Sequence, residues 1–344
     1  MTSPPAPAPA RVVSAIQPSA ELHIGNYFGA IATCVALQDR YPCIYGVVDL
    51  HAMTMPYTPA HLRANTDRML VDLLACGIDP QRAILFVQSQ VPEHTELAWI
   101  ISCLCSYDEL RRMNQFKEKA EQLEELGGLQ YASAGLFNYP VLQAADILVY
   151  RARYVPIGKD QLQHLELSRS IARRFNQQFG AFFPELEPVL TETPTLMSLA
   201  APDRKMSKSL GPRYYIGLFE DEAGVRQKVM AAVTDPGVLP PGIKMSPGVA
   251  NLFAILQACG ETATAGALLA RYEAGDRHYG ALKAAVADAL VALTTRLRAR
   301  RAAILDDAPA VQRQVAQMSE QARAIAADTM REVRALVGLP AHRS

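Results

Sequence analysis

The sequence predicts an α/β fold, a doubly wound parallel sheet followed by a smaller all-helical part. Strand-like apolar runs alternate with helix-like patterns through the first part of the chain. After about Leu199 the strand signals fade and Ala-rich helical patterns take over. A loop rich in turn formers, residues 201–212, marks the change.

Taken in order, Val12-Val13 is a short apolar run before a turn at 14–29, whose helix starts near His23 and reaches about Gln38. Residues 43–48 read as a buried parallel strand ending in Asp49-Leu50-His51. Thr58 N-caps a helix with Pro59 at its first position, running to Cys76 and stopping at Gly77. The third strand is 83–87, followed by helices over 93–105 and 108–126, the latter ending at Gly127-Gly128. Residues 155–157 form a short strand before a helix over 160–179. Beyond the loop, helices are expected at 222–233, 249–259, 279–301 and 309–337, with 236–247 as an internal loop. The expected division is a tail 1–10, a Rossmann-like catalytic domain 11–200, a mobile loop 201–212 and a helical domain 213–344 whose last helix packs back on the sheet domain.

Half of the 344 residues are hydrophobic and 20% are charged, the mix of a globular enzyme rather than a disordered or fibrous chain. The formal charge is zero, so a nucleic-acid partner must be met by a local basic patch. The six cysteines form no C-x-x-C pair, and Cys103 and Cys105 fall two apart in a helical pattern, on different faces. They read as buried thiols of a reducing compartment. Residues 1–10 resemble neither a secretory signal nor a transit peptide. No uncharged apolar run approaches the ~20 residues of a membrane span, so a cytoplasmic enzyme without membrane attachment is expected.

Two stretches carry chemistry. In the first turn, the helix beginning near His23 aims its free N–H groups and dipole at whatever the turn holds, and Gly25 lets a phosphate approach. Alone, it reads equally as an ordinary strand–helix turn. Downstream, Lys205-Met206-Ser207-Lys208-Ser209 places two lysines three apart beside small hydroxyl residues. That composition suits a polyphosphate whose charge grows during reaction; a solvated basic loop is the bland alternative.

His23-Ile24-Gly25-Asn26 and Lys205-Met206-Ser207-Lys208-Ser209 resemble the two signatures of class I aminoacyl-tRNA synthetases. The detail is similar to the bacterial-type tryptophanyl-tRNA synthetases. It includes Gln17-Pro18-Ser19, Asp49-Leu50-His51-Ala52, Gln115-Phe116-Lys117-Glu118-Lys119, Tyr139-Pro140, Ala144-Ala145-Asp146-Ile147-Leu148 and Val155-Pro156-Ile157-Gly158 with Asp160-Gln161. The resemblance runs from about Val12 to about Leu210 and continues faintly through Ala232-Val233-Thr234-Asp235 and Pro247-Gly248-Val249-Ala250-Asn251-Leu252.

The resemblance implies ATP-dependent activation of L-tryptophan to the adenylate, then transfer to the terminal 2′-hydroxyl of tRNA(Trp). Asp146 would meet the indole N–H, a lone donor on an apolar ring. Tyr139 and Gln161 would meet the ammonium, with His51 near the carboxylate. Val13, Val155 and Ile157 would line the ring, with Gln143 beside it. ATP would be held by Gln17, His23, Gly25, Asn26, Gln115, Lys119, Gly158, Asp160, Lys205, Met206, Ser207 and Lys208. Of these, Lys205, Lys208, Lys119, His23 and Asn26 are the catalytic candidates. No metal-ligating side chains are expected, Mg²⁺ being held mainly by the phosphates. A homodimer is implied, and tRNA contact by the helical domain; Arg296, Arg298, Arg300 and Arg301 are a basic cluster that suits phosphates, or equally a solubilising face.

The chain departs from the family pattern at Val13, Ala15, Ala20, Gln143 and Lys159. Ala20, where the turn usually has Gly, implies φ below zero or strain. Other readings are a tyrosine-specific relative, a non-catalytic paralogue that binds tryptophan or tRNA, and a plain adenylyltransferase. The context of Asp146 argues against the first and both signature lysines against the second, while the long helical part exceeds what the third needs.

Overall fold

The computed structural model describes residues 10–18, 21–126, 132–191, 193–235 and 245–341. Most of the tail, Ala20, the helix stop at Gly127-Gly128, residues 236–244 of the internal loop and the Lys159 side chain lie outside the described residues.

The elements run β1 (Arg11–Ile16), α1 (Ile24–Asn26), a π-helical turn (Tyr27–Ile31), α2 (Ala32–Leu37), β2 (Cys43–Val47), α3 (Asp49–Ala52), α4 (Pro59–Cys76), β3 (Ala83–Val87), α5 (Glu93–Ser102), α6 (Tyr107–Arg111) and α7 (Asn114–Leu126). Then come α8 (Ala134–Leu148), β4 (Ala152–Ile157), α9 (Leu162–Phe179), β5 (Glu187–Leu190), α10 (Glu222–Met230), α11 (Pro247–Ala258), α12 (Thr262–Glu273), α13 (Gly280–Leu305) and α14 (Ala308–Val337). The chain divides into two compact units: Met1–Ala20 with Cys34–Leu190 and Asp307–Ser344, and Glu21–Thr33 with Thr191–Asp306. The first turn of the leading helix therefore groups with the later half of the chain, and α14 with the sheet.

In the first unit all strand pairs are parallel, in the order β3-β2-β1-β4-β5. That is the doubly wound order, and its switch point lies at the carboxyl ends of β1 and β4. Thr58 caps α4 by accepting from the His61 amide, and Gly77 ends it at φ 111°, as the sequence predicts. β3 is an edge strand whose outward N–H groups are taken by α14: Leu85 donates to Met318 Sδ (3.4 Å) and Val87 to Ser319 Oγ (3.3 Å). An edge that would template aggregation is thus covered.

Several expectations need correction. The helix expected over 93–105 ends at Ser102, which leaves Cys103 exposed and Cys105 half-buried. Cys259 is also half-buried; only Cys34, Cys43 and Cys76 are core thiols, and none of the six forms a disulfide. The helix expected over 108–126 is two, α6 and α7. At the break Gln163 accepts from the Asn114 amide (3.1 Å) and donates to the Arg112 carbonyl (3.1 Å). A remote side chain thus satisfies groups that a continuous helix would have paired. β5 had no sequence signal, being four residues long, half-exposed and interrupted by Pro188. α12 was likewise unexpected, and α10 stops at Met230 rather than at residue 233.

The second unit packs α10, α11 and α12 on α13. Asn251 on α11 pins the strand-like segment before the lysine loop, its amide oxygen accepting from Met197 N (2.9 Å) and its Nδ2 donating to Met197 O (2.8 Å).

Candidate active site

The first unit holds a buried carboxylate. Asp146, on α8, is 3% exposed and receives three donors: His51 Nε2 on Oδ2 (2.8 Å), and Gln88 Nε2 (2.7 Å) and His94 Nδ1 (2.6 Å) on Oδ1. Burial pushes its pKa up, but the hydrogen bonds and charge of His51 and His94 outweigh that and hold it at about 2. An ionised carboxylate offers about four lone-pair sites, so one on Oδ2 is left over. Gln88 Oε1, fully buried, has no donor among the described residues. The cluster therefore holds unspent acceptor capacity, which is what a ligand N–H requires.

Sequence reasoning found Asp146 and His51 but missed Gln88, His94 and Tyr150, whose hydroxyl lies 2.7 Å from His94 Nε2. The signal was thin: three polar side chains at the end of a strand, in a helix's first turn and in a turn after a helix. Only the spatial convergence makes them one group.

Beside this, Tyr139 is 6% exposed, with its hydroxyl 2.8 Å from His164 Nε2 and 3.4 Å from Gln115 Oε1. Burial, then the charge of Lys119, lowers His164 to about 4, so its ring is neutral near pH 7. Lys119 Nζ lies 4.5 Å from the Tyr139 ring centroid, its pKa lowered by burial. Val13 and Val155 are buried, while Ile157 and Gln143 are half-buried. Gln161 donates to Asp160 Oδ2 (3.1 Å), and a Cβ on Gly158 would meet Asp160 Oδ1 at 2.6 Å. Gln17 is half-buried just past β1. Ala15 is exposed, with no positive φ.

The second unit holds the other constellation. His23 precedes α1 in an extended conformation, and its amide donates to Asn26 Oδ1 (3.1 Å). That leaves Asn26 Nδ2 as the group able to donate to a phosphate. His23 bridges Gly217, and Ile24 N donates to Ile216 O (3.1 Å) while Leu218 N donates to Leu22 O (2.8 Å). The lysine loop lies on the same turn: Lys208 Nζ donates to the Glu21 carbonyl (2.6 Å), and Met206 is 2% exposed. A Cβ on Gly25 would sit 2.9 Å from His23 Nδ1 and 3.7 Å from Met206 Cβ, so glycine keeps this approach open. Burial first, then Lys208 and Lys205, lowers His23 to about 4, and its buried Nδ1 has no partner among the described residues. The turn and the loop thus form one cationic centre with an unused ring nitrogen.

The π-helical turn directly after α1 widens the ladder there, and Thr191 Oγ1 donates to the Phe28 carbonyl (3.3 Å). On α13, Arg296 and Arg300 are exposed. Arg298 and Arg301 are half-buried, with Arg298 on Thr295 Oγ1 (3.1 Å) and Arg301 5.0 Å from the Phe219 ring centroid. The four do not form one face. No group of three or more metal-ligating side chains occurs among the described residues.

The family model for class I tRNA synthetases (W and Y) matches residues 6–295. Tryptophan–tRNA ligase 2 of Streptomyces avermitilis is 45% identical over 336 residues, covering 96% of this chain and 98% of that protein. The tryptophanyl-tRNA synthetase structure from Campylobacter jejuni, complexed with ADP and tryptophan, superposes with a TM-score of 0.79 at 32% identity. It covers 96% of this chain and all of that one. That from Mycoplasma pneumoniae gives a TM-score of 0.83 at 32% identity, covering 97% and 99%. The chain, which carries both signatures, belongs to the class I aminoacyl-tRNA synthetases of the tryptophan and tyrosine family, on the bacterial tryptophan–tRNA ligase branch.

Proposed function

We propose that Asp146 selects tryptophan by accepting its indole N–H, and that Lys208, Lys205 and Lys119 carry the charge of the ATP triphosphate. The reaction itself is that of a tryptophan–tRNA ligase: ATP activates tryptophan to the adenylate with release of pyrophosphate, and the aminoacyl group passes to tRNA. The observation that carries the substrate assignment is the buried carboxylate with one acceptor site left over, next to the orphaned Gln88 oxygen.

The ammonium of the substrate is assigned to Tyr139 and Gln161. With His164 neutral, the Tyr139 oxygen keeps a lone pair for it. His51 lies near the substrate carboxylate, and Val13, Val155, Ile157 and Gln143 flank the ring. The carboxylate attacks the α-phosphorus of ATP in line, with no covalent nucleophile from the protein. His23, Gly25, Asn26, Met206, Ser207 and Lys208, with Gln17, Gln115, Gly158 and Asp160, hold the nucleotide. The lysines neutralise charge moving onto pyrophosphate. Mg²⁺, held by the phosphates, would add charge neutralisation there. The 2′-hydroxyl of the terminal adenosine of tRNA(Trp) then attacks the activated carbonyl.

The helical part that follows the lysine loop, 213–344, is assigned to tRNA, with Arg296 and Arg300 the exposed phosphate contacts. A cytoplasmic homodimer is the expected form. No helix among the described residues is long and apolar enough to cross a membrane, and Trp99 and Tyr107 leave large apolar surface in the first unit (73% and 67% exposed). ATP–pyrophosphate exchange tests the assignment: exchange is expected with tryptophan and not with tyrosine. Exchange with tyrosine alone, or with neither, overturns it.

A further inference from the structure

The Asp146 carboxylate is held by more than a substrate pocket needs. Its Oδ1 takes two donors and is full, while Oδ2 takes one from His51. His51 sits on a helix of only four residues. The donors on Oδ1 are built differently. His94 is fully buried in the first turn of α5, with both ring nitrogens engaged. Its ring stacks on Phe86 (centroids 5.4 Å, 30° between planes) and meets Tyr150 edge-on (5.3 Å, 65°); Phe86 and Tyr150 close the triangle at 5.5 Å. Gly46 on β2 makes room for that triangle, since a Cβ there would lie 2.8 Å from Phe86 Cζ. The helix bearing His94 is clasped to α14 by Glu93–Arg323 (3.2 Å) and Glu96–Arg334 (2.5 Å).

We infer that His94 is a positioning residue for tryptophan selection: backed by Tyr150 on its far nitrogen, it locks the Asp146 carboxylate in the one rotation that presents the spare Oδ2 lone pair to the indole N–H. The inference rests on Asp146 being the indole partner. Protonation fits this wiring. Burial pushes the Tyr150 phenol well above its ordinary range, so it stays an O–H donor. An ionised carboxylate only accepts, so the proton between it and His94 belongs to Nδ1. With Nδ1 donating to the carboxylate, Nε2 is the nitrogen left to take the Tyr150 O–H, and each partner is used once. A buried carboxylate with three donors is a poor device for stability alone, because an apolar core of equal volume commonly does as well. The spare Oδ2 site suits one ring donor, and Gln88 Oε1, without a donor among the described residues, is a second acceptor near the same carboxylate.

The test compares tryptophan with β-(3-benzothienyl)alanine, whose sulfur replaces the ring N–H, in ATP–pyrophosphate exchange between pH 5 and 8. The unaltered enzyme is expected to prefer tryptophan strongly in kcat/KM. His94→Ala is expected to cut that preference at least about tenfold, through the KM for tryptophan rather than kcat, the loss expected for a hydrogen bond to a charged group. It should also bring an acid limb into that KM as the Asp146 carboxylate becomes easier to protonate. Tyr150→Phe should shift the ratio about threefold, and His94→Asn, which returns a donor at the position of Nδ1, should restore most of the preference. No preference in the unaltered enzyme overturns the Asp146 assignment and this inference with it. A preference that His94→Ala leaves intact, with an unchanged pH profile, overturns this inference alone. So does an equal loss for both amino acids. If His94→Ala does not fold, Tyr150→Phe decides: a shifted ratio supports the inference and an unshifted one overturns it.

Discussion

The two polar centres of this enzyme are opposite in design. Around Asp146 a negative charge is fully buried, and its donors are supplied by the protein before any ligand arrives. At the first turn and the lysine loop, positive charge lies partly in the open, and a buried ring nitrogen has no partner among the described residues. On the proposed assignment, the difference follows from the ligands. Indole is neutral and offers one weak donor, so discrimination demands a preorganised, water-excluded acceptor. A triphosphate brings its own charge, and what accelerates reaction is stabilisation that grows as charge moves. On that assignment one centre selects and the other responds.

The largest way to break that contrast is Asp146→Asn. The amide cannot accept from all three donors without opposing at least one N–H with another. kcat/KM for tryptophan should fall about 10³-fold while ATP affinity, measured by equilibrium dialysis, changes little. A comparable loss of ATP affinity would show that the two centres are not separable. Lys208→Ala is the converse. Adenylate formation in single-turnover experiments should slow about 10²-fold, with tryptophan affinity within about twofold. Unchanged rates would remove Lys208 from the phosphate role.

The same contrast explains what the sequence made legible. The cationic centre rests on two contiguous stretches, so its residue types and spacing sit side by side in the chain. The acidic centre joins positions 51, 88, 94, 146 and 150, and only Asp146 and His51 stood out. His94 in an ordinary helix start carries no mark of its function, because its meaning comes from packing against Phe86 and Tyr150. The sheet was readable where strands are buried and continuous, as in β2 and β3. It failed at β5, an exposed edge of four residues with a proline. The break between α6 and α7 was hidden because Gln163, about fifty residues on, satisfies it.

A smaller effect comes from two glycines. Gly46 backs the aromatic triangle, and an added Cβ would collide with Phe86 in a close-packed interior. Gly46→Ala should destabilise the protein by about 1–3 kcal/mol in urea unfolding and raise the KM for tryptophan. Gly29, in the π-helical turn, has open space where its Cβ would be. Gly29→Ala should be neutral or stabilising by up to about 1 kcal/mol. Equal costs at the two sites would mean that the aromatic triangle is no more tightly packed than the turn.

The smallest effect is a titration, and it separates the two causes acting on His23. Its pKa near 4 reflects burial first and the charges of Lys208 and Lys205 second. Lys208→Ala removes one charge and leaves burial, so the His23 resonance in a pH series should move up from about 4, stopping short of the ordinary value of about 6.5. The consequence for stability has a definite sign. A histidine depressed in the folded state is stabilising above its unfolded pKa. Below it the unfolded chain binds the extra proton, and that stability drains away as pH falls towards 4. His164, also held near 4, adds a second proton over the same interval. Asp146 adds nothing there, since its pKa near 2 puts its loss below about pH 4. Unfolding between pH 6.5 and 4 should therefore take up as many as about two protons on these two histidines, fewer in Lys208→Ala, whose His23 is less depressed. An unmoved His23 resonance would mean that burial alone sets its charge, and that the lysine loop does not act on the first turn until a phosphate is bound.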